Sequence, residues 1–193
     1  MNLPNRLTVL RIFLTIFIIF LCLFPFYSIG INFPKFNIGG LVVDSLYLIS
    51  GIIYIIAAFT DFLDGSIARK SNQVTNTGKL LDAIADKALV DVVLITFACR
   101  GFIPVIVPVI YIFRDEIVNA LKFDLLRRGY VTAAITSGKI KTMSMMIGLG
   151  LMFFYNLPFE LINLKVADFL IYFATVMSIV SLFDYYKIWK NTK

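Results

Sequence analysis

The stretch LYLISGIIYIIAAFTDFLDGSIAR, residues 46–69, joins a long apolar run to a cluster of charged side chains. The run from Leu46 to Phe59 is typical of a helix in a membrane, which needs roughly 20 mostly apolar residues to cross. A helix over residues 45–60 rises about 24 Å at 1.5 Å per residue, whereas the hydrocarbon core is about 30 Å thick. Asp61 and Asp64 are therefore expected near one edge of the membrane, and their spacing places both on one helical face.

A second pair of acids follows in the same region. The next helix is expected to start near Leu80 and to run back, which brings Asp82 and Asp86 to the same depth as the first pair. Four converging carboxylates repel one another and require bound cations. Because the chain has no histidine, this all-oxygen set suits hard ions such as Mg²⁺, Mn²⁺ or Ca²⁺, and four acids suffice for two ions about 3.5–4 Å apart.

The alternative is that these acids are solvated charges at helix ends. Negative charge is favourable at the start of a helix, which accounts for Asp82. It does not account for Asp61 and Asp64, which follow an apolar run. The metal interpretation is therefore preferred, and glycine at position 65, inside the same helix, indicates a close approach to the backbone.

The whole chain has the composition of a membrane protein. Of its 193 residues, 60% are hydrophobic and only 16% are charged, which excludes a water-exposed enzyme. Six apolar runs predict an all-α integral membrane protein with six transmembrane helices, as a single domain over residues 1–193. Residues 2–6 are expected to form a short interfacial segment before the first span. The runs cover residues 12–26, 46–59, 88–99, 102–113, 143–154 and 169–183.

The distribution of cations predicts the orientation of these helices. With six spans and the amino terminus inside, only Lys35, Arg100 and Lys165 of the 18 cationic residues fall on the outer side. Lysine and arginine mark the cytoplasmic side of membrane proteins. Both termini and the acidic cluster are therefore expected to face the cytoplasm at the cell membrane. The net charge of +6 is attributed to this asymmetry and to membrane lipids rather than to nucleic acid.

The acidic cluster belongs to a longer pattern with fixed spacing, and this pattern resembles the signature of the CDP-alcohol phosphatidyltransferase family. Residues 2–11, 114–122 and 138–142 are also similar to members of that family that use glycerol 3-phosphate as the acceptor. The signature in this chain reads Asp61-x2-Asp64-Gly65-x2-Ala68-Arg69-x8-Gly78-x3-Asp82-x3-Asp86.

The resemblance implies transfer of a phosphatidyl group from CDP-diacylglycerol to sn-glycerol 3-phosphate, with release of CMP. It implies that Asp61, Asp64, Asp82 and Asp86 hold two divalent cations, Mg²⁺ or Mn²⁺. Asp82 and Asp86 are then catalytic, with Asp86 as the base that takes the proton of the acceptor hydroxyl. A homodimer is also implied.

The nucleotide part of the donor is expected to lie against the second helix. Small residues would admit it there, and Arg69 would bridge phosphate oxygens with its planar donor fork. Asn5 and Thr8 are either further polar contacts to the nucleotide or an ordinary helix cap, and the sequence leaves both possibilities open. The donor-binding set is Asn5, Thr8, Gly65, Ala68, Arg69 and Gly78.

The acceptor is a small dianion and needs cations. Arg114 follows the uncharged residues 102–113, and an arginine there is expected to face a cavity or a partner. Lys139 and Lys141 complete the predicted phosphate site, with Lys122 as a further candidate. Arg127 and Arg128 are attributed to the positive inner face. Asp91 and Asp115 are expected to pair with nearby cations.

Alternatives remain within and outside the family. Inositol phosphate, serine or phosphatidylglycerol as acceptor would use the same donor site. A divalent-cation transporter would need acids at mid-membrane depth and a path to the far side, where only Asp44, Glu160 and Asp168 are available. A non-catalytic scaffold leaves the carboxylate spacing unexplained.

Overall fold

The computed structural model describes the backbone of residues 3–71, 76–130 and 135–192, and the side chains of these ranges except residues 3–5 and 61–83. Within them the chain is mostly helical, and the prediction of six long helices is confirmed. The third helix begins four residues before the expected Leu80. The α-helices are α1 (Leu3–Leu23), α2 (Ser45–Ser71), α3 (Asn76–Cys99), α4 (Ile106–Arg127), α5 (Thr136–Phe153) and α6 (Val166–Asn191).

The amino-terminal segment is continuous with α1. The helix begins at Leu3 and runs to Leu23 without a break, so residues 3–6 belong to the same helix as the predicted first span. Pro4 lies in the first turn, where the missing N–H removes no helical hydrogen bond. The position of these residues along the membrane interface stays a prediction.

The connection between α1 and α2 contains a β-hairpin that the apolar pattern did not predict. Strand β1 (Lys35–Ile38) pairs antiparallel with β2 (Leu41–Asp44), with Lys35 opposite Asp44. Gly39 and Gly40 form the two-residue turn with φ values of +60° and +91°. Turns of this kind require positive φ at both positions, which glycine adopts at no steric cost.

Asp44 fixes the start of α2. Its carboxylate accepts a hydrogen bond from the Leu46 amide at 2.9 Å, which satisfies one of the unpaired donors of the first turn. The Tyr27 hydroxyl donates to the same carboxylate. Burial and this hydrogen bond raise the pKa of Tyr27, so the phenol stays protonated as a donor. The Asp44 amide donates to the Tyr155 hydroxyl at 3.1 Å, which ties the hairpin to the segment after α5.

All six helices contribute side chains to the core, which is rich in aromatic residues where α2, α3 and α5 meet. Tyr54, Phe97 and Phe153 are almost fully buried, and the Phe153 ring centroid lies 5.4 Å from that of Tyr54 and 4.6 Å from that of Phe97. Gly148 brings α5 against α6. A Cβ atom there would lie 2.9 Å from Ile171 Cγ1 and 3.2 Å from its backbone nitrogen, so the two helices meet at a position where only glycine fits.

The outward faces of the helices are apolar. Phe13 of α1, Phe113 of α4 and Phe183 of α6 are each at least 60% exposed. Within the described residues, two helices have the length and hydropathy of membrane spans, over Arg6–Leu23 and Val166–Asn191, and Ser45–Thr60 is a shorter apolar stretch. An exposed apolar surface of this kind is typical of contact with a membrane or with a protein partner.

Candidate active site

A cavity of 740 Å³ lies between α3, α4 and α5, with Tyr185 of α6 on its wall. Eight charged residues line the cavity, and their formal net charge is +2. A phosphate monoester carries a charge of about −1.5 to −2 at neutral pH, so the cavity is electrostatically suited to a small phosphorylated molecule. The cationic residues are Lys87, Arg114, Lys122, Lys139 and Lys141, and the acidic ones are Asp86, Asp91 and Asp115.

The floor of the cavity is a buried charged network on α4 and α5. Lys141 is 3% exposed, and its ammonium pairs with the Asp115 carboxylate and lies 4.0 Å from the centroid of the Tyr111 ring. Asp115 also accepts a hydrogen bond from Arg114 Nη1 at 2.7 Å. One carboxylate therefore compensates two buried cations, and this leaves the floor of the cavity positive.

Arg114 connects this floor to α6. Its Nε donates to the Ser178 carbonyl at 2.6 Å, and its Nη2 donates to the Ser181 hydroxyl. A guanidinium has five N–H donors, and the contacts to Asp115, Ser178 and Ser181 use one on each nitrogen. Each terminal nitrogen therefore has one further N–H. Arg114 can be anchored in the protein and still donate to a ligand in the cavity.

The wall carries cations that form no ion pair with the described residues. Lys122 Nζ lies 4.7 Å from the centroid of the Tyr185 ring. Lys139 is exposed and makes no ion pair with the described part of the chain. Lys87 donates to Asn119 at 2.7 Å, which links α3 to α4 at the same cavity. Lys122 and Lys139 are thus the cavity cations with the most charge available for an incoming anion.

Asp86, the last residue of the acidic signature, lines the cavity. Its side chain is 44% exposed and pairs with Arg11 of α1, whose side chain is fully buried. The carboxylate therefore lies between a buried cation behind it and a basic cavity in front of it. Such a group can accept a proton or coordinate a cation at the cavity surface.

The structure brings together some of the predicted site residues. Asp86, Arg114, Lys122, Lys139 and Lys141 all line the one cavity. Thr8 is buried on α1. The other predicted residues have side chains outside the described part, so the convergence of four carboxylates stays a prediction. The predicted residues whose side chains are not described are Asn5 in α1, Asp61, Asp64, Gly65, Ala68 and Arg69 within the bounds of α2, and Gly78 and Asp82 within those of α3.

Several residues of the site were not identified from the sequence. The contact of Arg11 with Asp86 was missed, although an arginine within an apolar run was a usable signal. Asn119 was missed because no pattern marks it. Asp115 pairs with two cations as expected. Asp91 lines the same cavity as Lys87 and Lys141 but forms no ion pair with either of them, so its pairing with a cation stays a prediction.

The described residues contain no group of three or more acidic, histidine or cysteine side chains that could hold a metal. The side chains of three of the four predicted ligands, Asp61, Asp64 and Asp82, are not among those described. Asp86 fits the expected chemistry, because it offers a hard oxygen donor on the cavity surface. Metal coordination by the four carboxylates therefore stays a prediction.

Fold and cavity together describe a helical protein with apolar outer faces and a basic pocket that holds an acidic residue. A model of the CDP-alcohol phosphatidyltransferase family matches residues 1–182. The chain belongs to the CDP-alcohol phosphatidyltransferase family, which confirms the resemblance found in the sequence.

Three relatives that match most of the chain bear the name CDP-diacylglycerol–glycerol-3-phosphate 3-phosphatidyltransferase. The protein from Bacillus subtilis (strain 168) is 36% identical over 193 residues, which cover 100% of this chain and 97% of the relative. The protein from Haemophilus influenzae is 35% identical over 186 residues, with 94% of this chain and 93% of the relative covered. The protein from Rickettsia bellii is 31% identical, with 98% and 96% covered.

Proposed function

We propose that this protein transfers the phosphatidyl group of CDP-diacylglycerol to sn-glycerol 3-phosphate, giving phosphatidylglycerophosphate and CMP. The observation that carries the proposal is the cavity in which Asp86 shares a pocket with four of the predicted phosphate-binding cations. Relatives of nearly full length that are named for this reaction support the choice of acceptor over inositol phosphate, serine or phosphatidylglycerol.

We further propose that all six helices cross the cell membrane, with both termini and the cavity on the cytoplasmic side. The exposed phenylalanines on α1, α4 and α6 support contact with lipid. The cations Lys122, Lys139 and Lys141 lie near the ends of α4 and α5 that this orientation assigns to the cytoplasm. A water-soluble acceptor would then reach the cavity from the cytoplasm, and the lipid donor from the bilayer.

Asp61, Asp64, Asp82 and Asp86 are proposed to hold two divalent cations, Mg²⁺ or Mn²⁺. These ions would neutralise the diphosphate of the donor and the charge that develops on departing CMP. Gly65, Ala68 and Gly78 are proposed to admit the nucleotide. Its polar contacts are then assigned to Asn5, Thr8 and Arg69.

The acceptor phosphate is proposed to bind Lys122, Lys139 and Lys141 together with the two remaining N–H donors of Arg114. Charge-assisted hydrogen bonds of this kind are about twice as strong as neutral ones. The acceptor hydroxyl would then lie toward Asp86 of α3, which lines the same cavity. Its oxygen attacks the phosphorus of the phosphatidyl group, the bond from phosphorus to the CMP oxygen breaks, and the hydroxyl proton passes to Asp86.

Residues 1–193 are proposed to act as a single domain within a homodimer, as the resemblance to the family implies. Light scattering of the purified protein in detergent, after subtraction of the micelle mass, measures the oligomeric state. A mass corresponding to two chains is expected, and a mass of one chain would contradict the dimer.

The proposed reaction is tested by CMP release. Purified protein is incubated with CDP-diacylglycerol and glycerol 3-phosphate, with and without Mg²⁺ or Mn²⁺, and CMP is measured. Metal-dependent release is expected, and Asp64→Asn should abolish it while the protein still folds and inserts. Exposed Lys187 of α6 provides the control, because Lys187→Gln should leave turnover unchanged. Retained activity of Asp64→Asn would contradict the assignment of the carboxylates.

A further inference from the structure

Arg11 is an unusual residue for its position in α1. Its side chain is fully buried, although it lies in a helix whose residues from Arg6 to Leu23 have the hydropathy of a membrane span. A buried guanidinium is costly unless it is paired. Among the described side chains, its guanidinium contacts the Asp86 carboxylate of α3, 75 positions along the sequence. This pair therefore joins α1 to α3, which carries the second half of the acidic signature.

The two partners differ strongly in exposure. Arg11 has no exposed side-chain surface, whereas Asp86 is 44% exposed and lines the cavity. A molecule in the cavity can thus reach Asp86, while Arg11 does not line the cavity and lies behind the carboxylate. Arg11 is therefore placed to influence a bound molecule through Asp86 rather than by lining the cavity itself.

The surroundings of Arg11 on α1 support this arrangement. Thr8 and Thr15, about one turn away on either side, are also buried, and the Thr15 hydroxyl donates to the Arg11 carbonyl at 2.9 Å. The opposite face of the helix is apolar and exposed, with Phe13 and Phe17 among its residues. One polar stripe therefore faces inward from α1. This burial excludes the simpler role of a cation that faces solvent at the inner surface.

We infer that Arg11 is a positioning residue that holds the Asp86 carboxylate at the cavity from behind. The inference rests on the proposed function, in which Asp86 takes the proton of the acceptor. Arginine stays charged under all physiological conditions, and its planar fork restricts the directions in which a carboxylate can lie. The contact therefore limits the rotation of Asp86, and the base does not have to be ordered anew in each turnover.

Kinetic variants distinguish positioning from substrate binding. Arg11→Met is expected to lower kcat about 10- to 100-fold, because misplacement of a reacting group by about 1 Å can cost that much. The KM values for CDP-diacylglycerol and glycerol 3-phosphate should stay within about twofold of wild type. Arg11→Lys should retain more activity than Arg11→Met. Exposed Arg6 on the same helix gives the matched control, and Arg6→Met should leave kcat unchanged.

A double-mutant cycle tests whether Arg11 acts through Asp86. The residual rate of Asp86→Asn is measured with radiolabelled CDP-diacylglycerol, alone and combined with Arg11→Met. No further loss in the double variant is expected, since the group that Arg11 positions is already absent. The same loss factor in both backgrounds, or an increase of either KM with unchanged kcat, would overturn the inference.

Thermal unfolding of the same variants tests the pair without substrate. The fall in Tm of the double variant should be smaller than the sum of the two single falls, and additive falls would contradict the pair. A wild-type protein that releases no CMP would overturn the proposed function and the catalytic role of the pair together. The unfolding cycle would still report the ion pair itself, so the two failures can be told apart.

Discussion

Arg114→Met removes the residue that joins the cavity floor to α6. Breaking a buried ion pair by removing one partner costs about 3–5 kcal/mol. Here Asp115 keeps Lys141, and the Ser178 carbonyl keeps the Ser181 hydroxyl at 2.9 Å. We therefore expect a smaller loss in the free energy of unfolding, about 2–3 kcal/mol. For a protein of this length that corresponds to a fall in Tm of about 5–10 °C.

The assay is thermal unfolding in detergent, followed by far-UV circular dichroism, with acceptor kinetics on the folded protein. Arg127→Met is the matched control, because Arg127 is exposed at the end of the same helix, and its Tm should change by no more than about 1 °C. The KM for glycerol 3-phosphate should rise about tenfold or more with Arg114→Met, since two donors are lost. A Tm equal to wild type would refute the anchoring of α4 to α6, and an unchanged KM would refute the proposed phosphate contact.

Three further variants test separate features. Lys139→Ala should raise the KM for glycerol 3-phosphate about tenfold without changing Tm, because its ammonium makes no ion pair in the described part of the chain; an unchanged KM would contradict its role. Gly148→Ala should destabilise the protein by about 1–3 kcal/mol, because the added Cβ would press on α6. Gly150→Ala is the control: its added Cβ would have its nearest neighbour at 3.7 Å, so the variant should be neutral or more stable by up to about 1 kcal/mol. Equal unfolding temperatures of the two variants would refute the close approach of α5 and α6. Asp44→Ala should lower the free energy of unfolding by about 1–2 kcal/mol, since it removes the helix cap of α2. Because Asp44 does not line the cavity, kcat should stay unchanged, and a loss of kcat would contradict this purely structural role.

The helices were predictable because each long apolar run in the sequence indicates one helix. Six runs gave six helices, and the cations predicted for the acceptor line one cavity with Asp86. Their common location could be inferred because Arg114, Lys139 and Lys141 have few favourable places in an apolar chain other than a shared polar cavity. Family signatures then supplied the reaction, which composition alone does not define.

The missed features depend on contacts between distant segments. The hairpin over residues 35–44 was overlooked because its strands are short, although Gly39-Gly40 between alternating residues is a turn signal. The pairing of Arg11 with Asp86 joins helices that are far apart in sequence, and no local periodicity indicates it. The anchoring of Arg114 by Ser178 and Ser181 was missed for the same reason, since serines in an apolar helix also occur as ordinary packing residues.

The central claim is that this cavity delivers glycerol 3-phosphate to a lipid donor. The most direct test is to incubate the purified protein with CDP-diacylglycerol, Mg²⁺ and radiolabelled glycerol 3-phosphate, and to measure label in the extracted lipid together with CMP. Labelled phosphatidylglycerophosphate and CMP are expected in equal amounts. Lipid that remains unlabelled while CMP forms with another alcohol would contradict the acceptor, and absence of CMP with every small alcohol phosphate would contradict the transferase itself.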